Sequence, residues 1–332
     1  MVNVATVLLE HAFGYLVSMS LRAAVQYRVA EQLADGPRTL DQLAQATGTY
    51  GPYLRTMLRL LASHGIFRED ETGAFALTPL ADALRGDAPH SQRMSVLLST
   101  DGIGLRTAAA LDETLRTEGA PFEKVHGAPF FEYAAVHPAT AELFHLGMAA
   151  SSAPENDAVA ASYPFPDEGA LVEIGGGRGG LLRSVLLRHP GLSGVLFDHP
   201  SAVGRHLLDI PELAGRWRVE SGDFFTGVPP DGDVYMAKRV LHDWPDEDAC
   251  RFLRSCRDAM APGARLLIID PVIPAGNDPH PGKLIDFLAM LYLGGKERTP
   301  DELGTLLTAT GFRLARVLPT GTVVSIVEAV AV

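Results

Sequence analysis

The run Leu171-Val-Glu-Ile-Gly-Gly-Gly-Arg-Gly-Gly180 decides the fold of this chain. A short strand-like stretch leads into five glycines within six positions, and the helical pattern Gly180–Arg188 follows. Glycine is needed where backbone must turn sharply and lie close to a ligand, so a strand that enters such a loop and leaves as a helix opens a nucleotide-binding α/β unit. Gly175, Gly177 and Gly180 also have the spacing of a dinucleotide loop, and spacing alone leaves a hydride-transfer enzyme open. Asp198 ends the next apolar run, where a carboxylate can accept hydrogen bonds from both ribose hydroxyls of either kind of adenosine cofactor.

Glu173 separates the two readings. Beside a pyrophosphate its charge is adverse, whereas facing the cationic amino group of a methionine-type ligand it is favourable. The loop is therefore read as a site for S-adenosylmethionine. Around it, apolar strands and helices alternate: Leu171–Ile174, Gly194–Phe197, Val219–Glu220, Val234–Met236 and Arg265–Ile269, with helices at Gly180–Arg188 and Asp246–Met260. Such alternation predicts a mostly parallel sheet covered on both faces. A helix at Thr299–Thr310 and two last strands, Phe312–Leu318 and Val323–Ala329, add an antiparallel hairpin at the sheet edge.

Upstream, Val4 to about Ala34 shows helical spacing and stops at Asp35-Gly36-Pro37. Thr39 caps a helix that breaks at Gly48, and a second helix aligns Leu54, Met57, Leu58 and Leu61 on one face. Ile66–Arg68 and Ala74–Leu77 flank a turn, so helix-turn-helix plus hairpin makes a winged helix. Between the two parts the pattern is helical, with polar breaks near Gly119–Pro121 and His137-Pro138. The expected organisation is an N-terminal winged-helix domain over 1–98, a helical connecting and substrate-cap region over 99–160, and a Rossmann-like catalytic domain over 161–332.

Further motifs follow the loop in order: Leu196-Phe-Asp-His-Pro200, Gly222-Asp-Phe-Phe225, Lys238-Arg-Val-Leu-His-Asp-Trp244 and Gly294-Gly-Lys-Glu-Arg-Thr299. Together with the glycine loop and the winged helix they closely resemble the plant-type (caffeate/hydroxyindole-like), metal-independent S-adenosylmethionine-dependent O-methyltransferases, in their bacterial natural-product branch. The likeness covers nearly the whole chain. It implies an α/β fold: a Rossmann-like methyltransferase domain with an N-terminal all-α winged-helix dimerisation domain, and hence a homodimer. It also implies that Asp198 holds the ribose, that Asp223 and Phe224 flank the adenine, and that Lys238 and Ser152 approach the cofactor. Gly175 then lies under the methionine portion, and Gly177 is a further cofactor-binding position of the loop. Phe144 and Met148 are implied as substrate-binding; Met290, among aromatic and apolar residues that suit a flat apolar ligand, and Asp243 are further substrate-binding candidates read from the sequence itself.

By the same resemblance His242 is the general base. Imidazole has a pKa of about 6.5, so a neutral ring is expected near pH 7 to take a phenolic proton. A base of this kind needs carboxylates to hold its ring, and Asp270 and Glu297 match the family's two positions, with Asp243 as an alternative partner. The remaining acids beside it, Asp246, Glu247 and Asp248, suit a helix N-terminus after Pro245 at N1 better than a metal site.

Bulk properties bound the alternatives. The chain has 332 residues, 47% of them hydrophobic, enough for two domains. A formal charge of −12, from 40 acidic and 28 basic residues, opposes a nucleic-acid partner. A DNA-binding regulator nonetheless stays open through Arg55 and Arg59 on the second winged-helix helix. Cys250 and Cys256 fit neither a disulfide framework nor a metal cluster, which favours a reducing cytoplasm. Glu10 and His11 break the N-terminal apolar run short of a membrane span. The activity expected is methylation of a hydroxyl on a small aromatic, phenolic or polyketide-like molecule, without a metal. A relative of the same fold that uses bound S-adenosylmethionine for hydroxylation, decarboxylation or pericyclic chemistry is the enzyme alternative.

Overall fold

A computed structural model of the protein describes residues 3–332; Met1 and Val2, the start of the expected N-terminal domain, lie outside it. The chain divides into two compact units. One contains residues up to Leu105 together with Ala134–Ser151, and the other contains Arg106–Tyr133 with Ser152–Val332. The connecting region is thus shared between the units.

In the N-terminal unit, helices Val4–Ala12 and Gly14–Gln26 precede the pair Leu40–Thr47 and Gly51–Ser63. Thr39 and Gln42 form a reciprocal capping box, and Gly48 ends the helix in the left-handed conformation at φ 65°. Leu54, Leu58 and Leu61 are buried along one face of the next helix, at the one-turn spacing its sequence shows. Strands β1 (Phe67–Glu69) and β2 (Phe75–Leu77) pair antiparallel with Phe67 opposite Leu77. Glu69 in this hairpin accepts from Arg59 at 2.7 Å and lies 3.5 Å from Arg55. The two arginines that kept a DNA-binding reading open are therefore paired within the unit. No single helix among the described residues is long and apolar enough to cross a membrane; the first two helices pass that test only together, across a 42° bend.

The catalytic unit is built on seven strands. β3 (Gly169–Ile174), β4 (Leu192–Asp198), β5 (Trp217–Ser221), β6 (Val234–Lys238) and β7 (Arg265–Asp270) run parallel, and β8 (Phe312–Pro319) and β9 (Ser325–Ala331) complete the sheet. The spatial order is β5-β4-β3-β6-β7-β9-β8, with β9 antiparallel to both its neighbours. The final hairpin thus lies at the sheet edge, its last strand tucked inside. All five residues of β6 are buried, as a central strand covered on both faces requires. Two apolar cores flank the sheet, one containing Phe252, Leu253 and Leu307, the other Leu182, Leu186 and Val159.

Capping also follows local sequence at the later helices. Thr299 and Glu302 form a second capping box at helix Pro300–Ala309. Helix Asp246–Ala259 carries Asp246, Glu247 and Asp248 in its first turn, where the helix dipole favours them. Pro245 stands at the N-cap of that helix rather than at N1, because its ψ of 164° is extended. Pro154 lies inside the long helix Pro138–Ser162 and has no N–H to give the carbonyl of Ala150. That carbonyl accepts from Gln92 Nε2 at 3.3 Å instead.

Leu267 is fully buried in β7 between β6 and β9. Leu267→Ala is expected to cost about 2–5 kcal/mol of stability, read by denaturant unfolding, because a central strand cannot collapse into the cavity.

Candidate active site

Strand register assembles the site. Ile174 pairs with Phe197 of β4 and with Ala237 of β6, so Gly175 stands level with Asp198 and Lys238. Lys238 pairs with Ile269, one residue before Asp270. Candidate residues from four strands therefore collect at the carboxyl ends of the parallel strands. The strand order reverses between β3 and β6, the position where open α/β sheets leave a crevice for a ligand.

The glycine loop is shaped from both sides. Gly175 has φ 65°, and a Cβ there would lie 2.5 Å from Val240 Cγ2. A Cβ on Gly176 would strike Glu173 Cδ and Leu196 Cδ1, each at 2.6 Å. Gly177, at φ 57°, would meet nothing within 4 Å, so its backbone borders open space. The Gly177 N–H donates to Asp198 Oδ2 at 2.7 Å, and the His199 N–H donates to Oδ1 at 2.6 Å. Asp198 is thereby fixed with further lone pairs available. Glu173 is 2% exposed beneath the loop, and its Oε2 accepts from the Leu182 N–H at 3.2 Å. Burial pushes its carboxyl up to about 8, opposed by that N–H and by Lys238 and reinforced by Asp198.

Asp223 follows β5 and turns back to accept from the Phe225 N–H at 2.8 Å. Phe224 packs edge-on to Phe252 at 5.3 Å. A loop backbone, a fixed carboxylate and an aromatic ring at successive strand ends suit an adenosine ligand with a flexible polar tail.

Lys238 and Ser152 are bound to one another. Lys238 Nζ donates to Ser152 Oγ, and lies 3.3 Å from the Ser152 carbonyl, 2.9 Å from Asn156 Oδ1 and 2.9 Å from Glu155 Oε2. An ammonium has three hydrogens, so the protein's own acceptors can take them all. The expected approach of both residues to the cofactor is therefore an internal clamp in this conformation. Burial lowers the Lys238 pKa, and Glu155 opposes the shift. Sequence reasoning missed Glu155 and Asn156, although both follow Ser152 by one helical turn. Asn156 also explains Gly180, where a Cβ would stand 2.8 Å from its Nδ2.

The second cluster surrounds His242, which is 7% exposed in the short turn Leu241–Asp243 after β6. Its Nδ1 lies 2.6 Å from Glu297 Oε1 and its Nε2 lies 3.2 Å from Asp243 Oδ1. Asp270, the other expected partner, is buried nearby with Oδ1 unbonded, and Oε2 of Glu297 is likewise unbonded. One methylene shorter than glutamate, Asp270 acts on the ring through its field, and Asp243 makes the second contact.

These charges correct the expectation of a neutral imidazole. Burial lowers the His242 pKa, but Asp243, Asp270 and the hydrogen-bonded Glu297 together overcome it and push it up to about 9. Burial and Asp270 raise Asp243 to about 6 against the pull of His242 and Arg239. Glu297 is raised too, by burial and by Asp270.

Contacts around the cluster hold it rigid. A Cβ on Gly295 would fall 2.1 Å from the His242 carbonyl, so only glycine lets the Gly294–Thr299 segment approach. Lys296 N–H donates to that carbonyl at 2.9 Å. Arg298, 3% exposed, spans the turn from the Leu241 carbonyl (3.0 Å) to the Trp244 carbonyl (2.8 Å) and Asp246 Oδ1 (2.9 Å). Asp286 Oδ1 accepts from the Glu297 N–H at 2.8 Å. Arg298 stood inside a recognised motif without an assigned role, and Asp286 carried no sequence signal. Among the described residues no group of three or more His, Cys, Asp or Glu side chains is arranged to hold a metal ion. Met290 lies half-buried on helix Gly282–Leu293, in the same unit as His242. Phe144 and Met148 belong to the N-terminal unit, on either side of Gly147, which packs against Leu98.

Comparison with known proteins identifies the family of the chain. An O-methyltransferase domain model matches residues 108–313, and an O-methyltransferase dimerisation domain model matches residues 9–87. The phenazine O-methyltransferase PhzM of Lysobacter antibioticus is 39% identical over 331 residues, covering 99% of this chain and 96% of that protein. The mitomycin biosynthesis 6-O-methyltransferase of Streptomyces lavendulae is 38% identical, covering 93% and 89%. The structure of CalO1, a methyltransferase in calicheamicin biosynthesis in its S-adenosylhomocysteine-bound form, superposes with a TM-score of 0.92 at 43% identity, covering 99% and 98%. The chain belongs to the S-adenosylmethionine-dependent O-methyltransferase family.

Proposed function

We propose that the protein methylates a hydroxyl of a small aromatic metabolite, with His242 as general base. The observation that carries this reading is the buried 2.6 Å contact between His242 Nδ1 and Glu297 Oε1. Glu297 accepts a hydrogen bond from Nδ1–H and so keeps the proton of the neutral ring on Nδ1, which leaves the Nε2 lone pair, beside Asp243 Oδ1, to receive the proton of an acceptor hydroxyl. Bound S-adenosylmethionine supplies an electrophilic methyl group on a sulfonium centre. Gly175 and Gly177 offer it close backbone approach, Asp198 takes its ribose, and Asp223 with Phe224 flanks its adenine. Glu173 lies beneath the thin glycine backbone, where burial keeps its carboxyl mostly protonated at neutral pH until a cationic amino group above the loop draws it toward ionisation, and Lys238 with Ser152 braces the wall of the site. Met290 supplies apolar contact to the acceptor, with Asp243 as its polar contact.

The relatives named for phenazine and mitomycin chemistry support a polycyclic phenol of specialised metabolism as the acceptor class. The dimerisation model supports a homodimer, as does the exposed apolar surface of the N-terminal unit, where Val4, Leu8 and Tyr53 are 71%, 64% and 77% exposed. Incubation with methyl-labelled S-adenosylmethionine and a panel of phenols tests the reaction. Labelled product with equimolar S-adenosylhomocysteine is expected; product formed without S-adenosylhomocysteine refutes methyl transfer.

His242→Ala should lower kcat by about 10²–10⁴-fold while calorimetry finds cofactor affinity little changed, since the ring acts on the acceptor. An unaltered kcat refutes the assignment. The base works only without its proton, so a raised pKa depletes the active form at neutral pH. The acid limb of kcat/KM is expected above 6.5, toward about 9, with activity rising as pH rises through it. Glu297→Gln removes one attracting charge and should move that limb to lower pH while reducing kcat; a limb left in place would contradict the pairing.

A further inference from the structure

Arg239 has φ 55°, a left-handed conformation that an L-residue with a long side chain rarely adopts. It sits between Lys238, the last residue of β6, and Val240, which begins the turn bearing His242. Two groups hold it there. Its N–H donates to the Ile269 carbonyl at 3.1 Å, and its guanidinium grips Glu155 at both ends. Nε lies 3.2 Å from Oε2, and Nη2 lies 2.6 Å from Oε1. The two side chains are 12% and 7% exposed, so this fork-like contact is shielded from water.

The kink serves two places at once. It seats Val240 against the glycine loop, where Cγ2 occupies the space a Cβ on Gly175 would need. It also aims the following residues so that His242 meets Glu297. Without it, a strand as regular as β6 would continue along the sheet. Glu155 comes from helix Pro138–Ser162, and the same carboxylate binds Lys238.

We propose that Glu155 is a positioning residue for the base: by holding Arg239 in its left-handed conformation it directs the chain from β6 so that His242 faces Glu297. The inference rests on the reading of His242 as the base. Glu155 stays ionised, because the two cations outweigh the burial that raises its pKa. It also confines the Arg239 charge. Arg239 feels Asp270 and Glu297 besides Glu155, and each of those two acids has an unbonded buried oxygen. Freed from Glu155, the guanidinium can turn toward them and weaken their hold on the His242 proton. The groups that set this proton are Asp243 on its own turn, Asp270 at the end of β7, Glu297, and Arg239 acting through all three.

The test uses the full chain with isotopically labelled histidine, the His242 ring signal being assigned by its loss in His242→Ala. Glu155→Gln is expected to lower the titration midpoint of that signal by about one pH unit. It should also lower kcat about tenfold or more, with the KM for S-adenosylmethionine changed far less. Glu155→Asp, which keeps the charge, should recover part of both. A Gln variant with the midpoint and kcat of the unaltered protein, or an Asp variant no better than Gln, overturns the proposal. A role in stability alone would lower the melting temperature and leave the midpoint in place. Arg239 supplies a second, independent arm should Glu155→Gln fail to fold. Arg239→Gly accepts the kink without strain and Arg239→Ala does not, so the Gly variant should retain about tenfold more activity per folded molecule. Equal activities overturn the proposal. The ring titration needs no acceptor, so loss of the base reading through an active His242→Ala leaves the positioning inference separately decidable.

Discussion

Five parallel strands that end at one level impose the constraint from which the site follows. Parallel register carries each strand's last residue to the same edge, so Gly175, Asp198, Lys238 and Asp270 become neighbours although nearly a hundred residues separate the first from the last. The fully buried β6 fixes the middle of this edge, because a slip of one residue would carry Lys238 to the opposite face of the sheet. Loops beyond the edge are then free to differ, and here they carry the chemistry.

Charge buried at that edge is organised in two groups. One joins Glu155 to Lys238 and Arg239; the other joins His242 to Asp243, Asp270 and Glu297. Burial penalises each ion, and each group offsets the penalty by placing opposite charges in contact. In the second group three carboxylates surround one imidazole, which raises the proton affinity of the ring well beyond that of histidine in water. Such a ring is a stronger base than a neutral histidine and is less often free of its proton, a balance that the surrounding acids set.

Rigidity around His242 comes from backbone contacts that involve no reacting group. Gly295 allows the Glu297 segment to touch the His242 carbonyl, and Arg298 ties the two carbonyls that flank the turn. Asp286 fixes the backbone of Glu297. The 2.6 Å contact between base and carboxylate is thus held from three directions, as preorganisation for proton transfer requires.

Local pattern alone determined the alternation of strands and helices, the capping boxes at Thr39 and Thr299, the glycine loop, and the order of motifs that marks the family. These features depend on near neighbours in the chain, whose periodicity and turn chemistry are written in consecutive residues. The partners of His242 were partly legible, because Glu297 lies in a motif and Asp243 is adjacent. Which carboxylate touches which ring nitrogen was decided only by tertiary structure, since a single methylene keeps Asp270 out of contact. The same holds for Glu155, which lies in a helix with no distinguishing pattern yet meets Arg239 after 84 residues of intervening fold. The raised pKa of His242 is likewise a tertiary property: it is the sum of burial and three charges brought together from separate strand ends and loops, and no stretch of sequence contains that sum.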